Sequence, residues 1–111
     1  MDYKITPLKG KERQEITSKY NFAKTSQVSR INNNVNMVTP IHVDNPSAFL
    51  VLEKGKKIVT LYEPEETVVL KEPGQYVFIE KDRLHKVEST KGTVGYNICT
   101  SKEKWIPFTE N

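Results

Sequence analysis

One cysteine, two histidines, one tryptophan and five glycines occur in this 111-residue chain, and each scarcity excludes something. The single cysteine, Cys99, rules out an internal disulfide and a cysteine-rich zinc cluster. It fits a reducing compartment, and its place beside Ile98 reads as a small buried hydrophobe. The glycines are scattered at turns, so no glycine-rich phosphate loop is present. No apolar run approaches the ~20 residues that span a bilayer. The leading segment MDYKITPLKGKERQ has no apolar h-region. A cytoplasmic protein without membrane contact is the expectation. Arginine is scarce, and the aromatic residues do not alternate with the basic ones, so nucleic acid is not an expected partner.

What is present reads as one polar domain with a modest core. Charged residues make up 28% of the chain and hydrophobic residues 36%, enough for a single small core. The net charge of +3 is uneven. Residues 1–30 hold seven Lys/Arg against three Asp/Glu, whereas the remaining 81 hold ten against eleven. A basic N-terminal arm, residues 1–34, is therefore set apart from residues 35–111. Within the arm, Tyr3–Leu8 reads as an edge strand, because Pro7 is tolerated only at an edge or an end. Gly10–Tyr20 reads as the one helix, too polar to be a core element, and Gln27–Ile31 as an irregular strand.

From Val35 the pattern becomes β. Seven short runs rich in Val, Ile, Leu, Tyr, Phe and Thr cover 36–43, 48–52, 57–62, 67–70, 75–79, 84–88 and 93–100. Turn signals such as Asp44-Asn45-Pro46-Ser47, Lys54-Gly55-Lys56 and Glu72-Pro73-Gly74 separate them. Evenly spaced short strands predict an antiparallel sandwich or barrel. Phe49-Leu50-Val51-Leu52, Val68-Val69-Leu70 and Val77-Phe78-Ile79 are apolar on both faces. Their outer faces need a cover, either the N-terminal segment or a second subunit, and a homodimer is expected. The apolar tail Trp105–Phe108 is expected to pack on a sheet edge or on that subunit.

Both histidines lie in strand-like segments beside turns. His42 and Asp44 are two residues apart on one strand, so they face the same side. With His85 from another strand they form a candidate site of two histidines and one carboxylate. That trio suits iron(II), manganese or zinc and leaves coordination positions open.

The spacing around these residues resembles the cupins, small β-barrel proteins with two short motifs. The first cupin motif runs from a glycine through His-x-His and a glutamate to a second glycine. Here Asn36, five residues, His42-Val43-Asp44, three residues, Ala48, six residues and Gly55 keep its spacing without a gap. The second runs from a glycine through Pro-x-Gly to a histidine and an asparagine. Here Gly74, five residues, Glu80-Lys81-Asp82, two residues, His85, three residues and Ser89 keep its spacing too. Asn36 and Asp82 stand at glycine positions, and both residue types tolerate a left-handed backbone. The resemblance implies that His42 and His85 are metal ligands, with Asp44 replacing a histidine and Ala48 replacing the glutamate. The His-x-Asp…His order is also similar to that of the 2-oxoglutarate-dependent oxygenases. No arginine follows Arg83 to hold the co-substrate carboxylate, which speaks against them.

The fold expected is all-β: a small cupin-type antiparallel barrel or jelly roll with a short N-terminal helical or irregular arm. The first functional expectation is a binding protein that holds a small polar ligand in the barrel mouth without catalysis. His42 and His85 would contact the ligand, and Tyr76, Phe78 and Tyr96 would form a stacking wall. The alternative is a metal-dependent enzyme of isomerase or dioxygenase type using His42, Asp44 and His85. A third reading is a protein–protein module using the basic arm and the tail.

Overall fold

The computed structural model describes residues 3–44 and 47–99. The Trp105–Phe108 tail lies outside the described residues. Among the described residues nine strands and one helix follow the order β1 (Tyr3–Pro7), α1 (Gly10–Lys19), β2 (Gln27–Asn33), β3 (Met37–Val38), β4 (Ala48–Lys54), β5 (Lys57–Leu61), β6 (Glu66–Leu70), β7 (Tyr76–Ile79), β8 (His85–Ser89) and β9 (Val94–Cys99). They form two antiparallel sheets, β1-β2-β9-β4-β7 and β3-β8-β5-β6. This is the expected jelly roll, two sheets closing around one interior.

Turn chemistry shapes the connections. Gly55 takes a φ of +94° between β4 and β5, and a Cβ there would meet the backbone Cα of Thr93 at 2.6 Å. Only glycine fits that crossing. Asp82 adopts φ +64°, the left-handed conformation expected of it. Asn36 uses its side chain instead, accepting the Lys91 N–H through Oδ1 at 2.8 Å.

The longest departure from the strand pattern falls at 36–43. Only Met37–Val38 pair continuously, and a single bridge follows at His42. Pro40 is the cause, since it carries no N–H for the ladder. Thr39 bridges the gap on either side: its N–H donates to Val87 O, and its Oγ1 accepts from Val87 N–H.

The five-stranded sheet is packed on both faces. Its inner face meets the other sheet in a cluster of Leu50, Leu52, Val59, Leu61, Leu70, Val77, Ile79 and Val87. Its outer face is covered by the segment carrying α1. That helix buries only Ile16 and Thr17, consistent with its polarity, while flanking Leu8, Tyr20 and Phe22 supply the apolar cover. Phe22 meets Phe49 with ring centroids 5.1 Å apart, within the range of favourable tilted aromatic pairs. Residues 3–33, grouped by charge as an arm, thus contribute two strands and the lid of one sheet. Strand β2 pairs with β9 from Gln27↔Cys99 to Asn32↔Val94. Among the described residues no helix is long and apolar enough to cross a membrane.

Candidate metal and ligand site

The bridge at His42 brings the two histidines together. His42 N–H donates to His85 O, and His85 N–H donates to His42 O, each at 2.9 Å. Residues directly opposite in an antiparallel pair project to the same face. The rings therefore stand beside each other, with centroids 4.3 Å apart and planes at 55°. Asp44, two residues beyond His42, projects to the same side, and its carbonyl accepts the Asp82 N–H at 3.0 Å. Strand parity therefore produces a three-residue cluster whose donor atoms lie within 4.8 Å of one another.

Each imidazole is fixed by a backbone carbonyl. His42 Nδ1 donates to Pro40 O at 2.8 Å, and His85 Nδ1 donates to Arg83 O at 2.7 Å. A carbonyl can only accept, so both Nδ1 atoms carry the proton and both Nε2 atoms are turned toward the carboxylate. His85 Nε2 lies 3.2 Å from Asp44 Oδ2, and His42 Nε2 lies 3.5 Å from the same oxygen. Two lone pairs facing a carboxylate repel unless a cation or a proton lies between them. Orientation of ligating histidines through Nδ1–H to a carbonyl is a common second layer of metal sites.

The donor spacing fits a metal ion. Zinc–ligand distances of about 2.0–2.2 Å place two tetrahedral donors roughly 3.4 Å apart. The two His–Asp separations of 3.2 and 3.5 Å bracket that value. Two imidazole nitrogens and a carboxylate suit iron(II), manganese or zinc, and leave positions for a further ligand. His85 is 2% exposed at the inner end, while Asp44 is 55% exposed at the mouth.

Arg83 anchors this arrangement from outside. Its Nε donates to Tyr62 O at 2.9 Å and its Nη2 to Pro64 O at 2.8 Å, with Glu66 at 3.5 Å. These contacts tie the turn before β8 to the β5–β6 connection, which holds in place the carbonyl that orients His85.

The cluster opens on a cavity of about 220 Å³ lined by Thr39, Ala48, Leu50, Lys57, Ile79 and Asn97, together with Ile5, Ile31, Met37 and Val87. Ala48, at the position where the resemblance implies a glutamate, is part of its wall and carries no donor.

The expected stacking wall is not there. Tyr76 and Phe78 are packed against the outer cluster, and Tyr96 is a buried member of it, on the far side of the sheet from the histidines. Tyr96 Oη donates to Glu53, and the Arg30 guanidinium lies 5.6 Å from its ring centroid. Burial, and then the hydrogen bond to Glu53, push its phenol pKa up. The reason for the placement is strand parity: Phe49, Val51, Tyr96 and Ile98 face outward, while Leu50, Leu52 and Asn97 face inward.

Lys57, Asn97 and Thr39 also line the cavity, although nothing in the sequence marks them as site residues. Lys57 points inward because it shares one strand face with the buried Val59 and Leu61.

No protein-family model matches the sequence, and no curated protein matches it. Solved structures with the same fold do match. A cupin-like protein from Thermotoga maritima is 18% identical over 95% of this chain and 76% of its own, with a TM-score of 0.60. A cupin superfamily protein from Desulfitobacterium hafniense is 10% identical over 87% and 75%, with a TM-score of 0.63. An RmlC-like cupin family protein with a double-stranded β-helix fold, from Methanocaldococcus jannaschii, is 21% identical over 68% and 69%, with a TM-score of 0.56. At these identities the likeness is one of fold. The chain has the cupin fold, as the motif spacing implied.

Proposed function

We propose that this protein binds a small polar molecule inside its barrel and holds it on a divalent transition metal ion carried by His42, Asp44 and His85. One observation carries the reading. Both imidazoles donate through Nδ1 to main-chain carbonyls, leaving both Nε2 atoms aimed at one carboxylate oxygen. A bound ion resolves the repulsion of that arrangement and gives the cavity a Lewis acid able to polarise a ligand oxygen. Around it, this chain's own groups set the rest of the environment. Arg83 fixes His85, Thr39 closes the interrupted strand, and Leu50, Ile79 and Val87 make the inner wall apolar.

A metal-free binding protein is the second reading. It is favoured by the same 3.2 Å contact, which an imidazolium at His85 would turn into a charge-assisted hydrogen bond to Asp44. Elemental analysis of protein purified without chelator separates the two. The metal reading expects close to one equivalent of a transition metal, lost in His85→Ala. Less than about a tenth of an equivalent in the wild type, after incubation with iron(II), manganese and zinc in turn, removes it. A homodimer belongs to the same proposal, with Val38, Ile41 and Val43 as exposed apolar residues near the mouth. A monomer mass at every concentration removes that part.

A further inference from the structure

Among the described residues, the barrel interior holds one charge that the three-residue cluster does not use. Lys57 opens β5, stands opposite Ser89 of β8 and Leu70 of β6, and is only 4% exposed. Its side chain crosses toward the other sheet. A Cβ built on Gly95 of β9 would lie 3.6 Å from Lys57 Cε. It lines the same cavity as His42, Asp44 and His85.

A buried ammonium group is costly unless an anion meets it. Among the described residues none does. The ion pairs there are Arg30–Glu12, Arg83–Glu66 and the two contacts of Asp44 with the histidines. Burial alone pushes the Lys57 pKa down to about 8, with no acidic neighbour raising it. One polar group beside it lacks a partner among the described residues. Ser89 Oγ, directly opposite in the register, is buried with no hydrogen-bond partner among the described residues, while Asn97, in the wall of the same cavity, accepts from Cys99 Sγ through Oδ1.

Charge and size then define what the cavity takes. With a divalent ion on the cluster, Asp44 is the one carboxylate among the described lining residues, against the ion and Lys57, which favours an anion. A water occupies about 30 Å³, so about 220 Å³ holds roughly seven water-sized groups. That matches a short organic acid.

Resting on the metal reading above, we infer that Lys57 is the anion-binding group of the cavity. Its ligand class is a short organic dicarboxylate, with one carboxylate on Lys57 and the other toward the metal cluster. The ammonium group donates charge-assisted hydrogen bonds to the inner carboxylate, and the apolar wall excludes competing water.

Malonate titrated calorimetrically into zinc-loaded protein tests this. Lys57→Met should weaken malonate binding by tenfold or more and leave zinc affinity within twofold of wild type. Lys57→Arg should recover part of the loss, and uncharged malonamide should not distinguish the variants. Equal malonate affinity in wild type and Lys57→Met overturns the inference, as does the absence of malonate binding to zinc-loaded wild type. Failure of the metal reading is distinguishable. If wild type binds no zinc, the Lys57 ammonium ¹⁵N signal is followed in metal-free protein as malonate is added. A saturable shift upholds the role of Lys57 alone, and an unmoved signal overturns it.

Discussion

The two faces of the five-stranded sheet are built from the same strands and do opposite things. On the outer face Phe49, Val51, Tyr96 and Ile98 meet Leu8, Ile16, Tyr20 and Phe22, and the space is filled with rings and aliphatic groups. The inner face presents Ala48, Leu50 and Asn97 to a cavity that also holds Lys57 and the two histidines. Large aromatic side chains fill the outer face, whereas on the inner face Ala48 and Asn97 leave room for a cavity beside the packed cluster of Leu50, Leu52, Val77 and Ile79. The outer face is closed by packing, and the inner one combines a packed core with the cavity and the His42–Asp44–His85 cluster.

The sharpest way to break this division is to remove the centre of the outer cluster. Phe49 is fully buried and packs on both Phe22 and Phe78, the latter at 4.7 Å between centroids. Phe49→Ala should cost about 3–5 kcal/mol in denaturant unfolding. The fraction that remains folded should bind zinc with unchanged stoichiometry. A loss of zinc sites in that folded fraction would show that the two faces are coupled.

Replacing the buried charge of the inner face should act in the opposite direction. The Lys57 pKa is about 8 when folded, against 10.5 for the free side chain. Between those values the unfolded chain binds the proton that the folded chain has lost, so wild-type stability from this group rises with pH across that window. Its penalty is complete below pH 8 and gone above about pH 10.5. Lys57→Met should therefore be more stable than wild type by about 3 kcal/mol at pH 7, an advantage that vanishes at the alkaline end. An unchanged or lower stability at pH 7 would mean that Lys57 finds a counter-charge in solution.

The smallest effect is expected where the sequence had placed the ligand. Tyr76→Ala removes an aromatic ring partly buried against the outer cluster, and it should change zinc and malonate affinity less than twofold. A tenfold loss of either would return the aromatic wall to the binding site.

Much of the fold was legible because turns and strands announce themselves locally. The helix starting at Gly10 and most β-runs lie within one or two residues of their expected ends. His42, Asp44 and His85 were legible as well, since parity on one strand and motif spacing on the other require no knowledge of which face is buried. The aromatic residues were not. Phe49-Leu50-Val51-Leu52 is apolar at every position, so alternation gives no clue to its inward face. Only the docking of α1 and Phe22 decides it, and that contact joins residues far apart in sequence. Lys57 was hidden for a different reason. It follows Lys54 and Lys56 around a glycine turn, and both of those are exposed, so a third lysine reads as surface. The interruption at Pro40 was likewise readable only in hindsight of its pairing, because the flanking residues favour a strand. That break matters for the site, since the carbonyl of Pro40 is the group that orients His42.

In the proposed metal site two imidazoles keep their Nδ1 protons and offer Nε2 to an ion shared with Asp44. Long-range ¹H–¹⁵N correlations of the histidine rings, recorded before and after one equivalent of zinc, measure this directly. The predicted result is a protonated Nδ1 on both rings in the zinc-loaded protein and a metal-induced shift confined to the two Nε2 signals. Nε2 signals of His42 and His85 left unmoved by zinc, or a proton found on Nε2 rather than Nδ1 in the loaded protein, would contradict it.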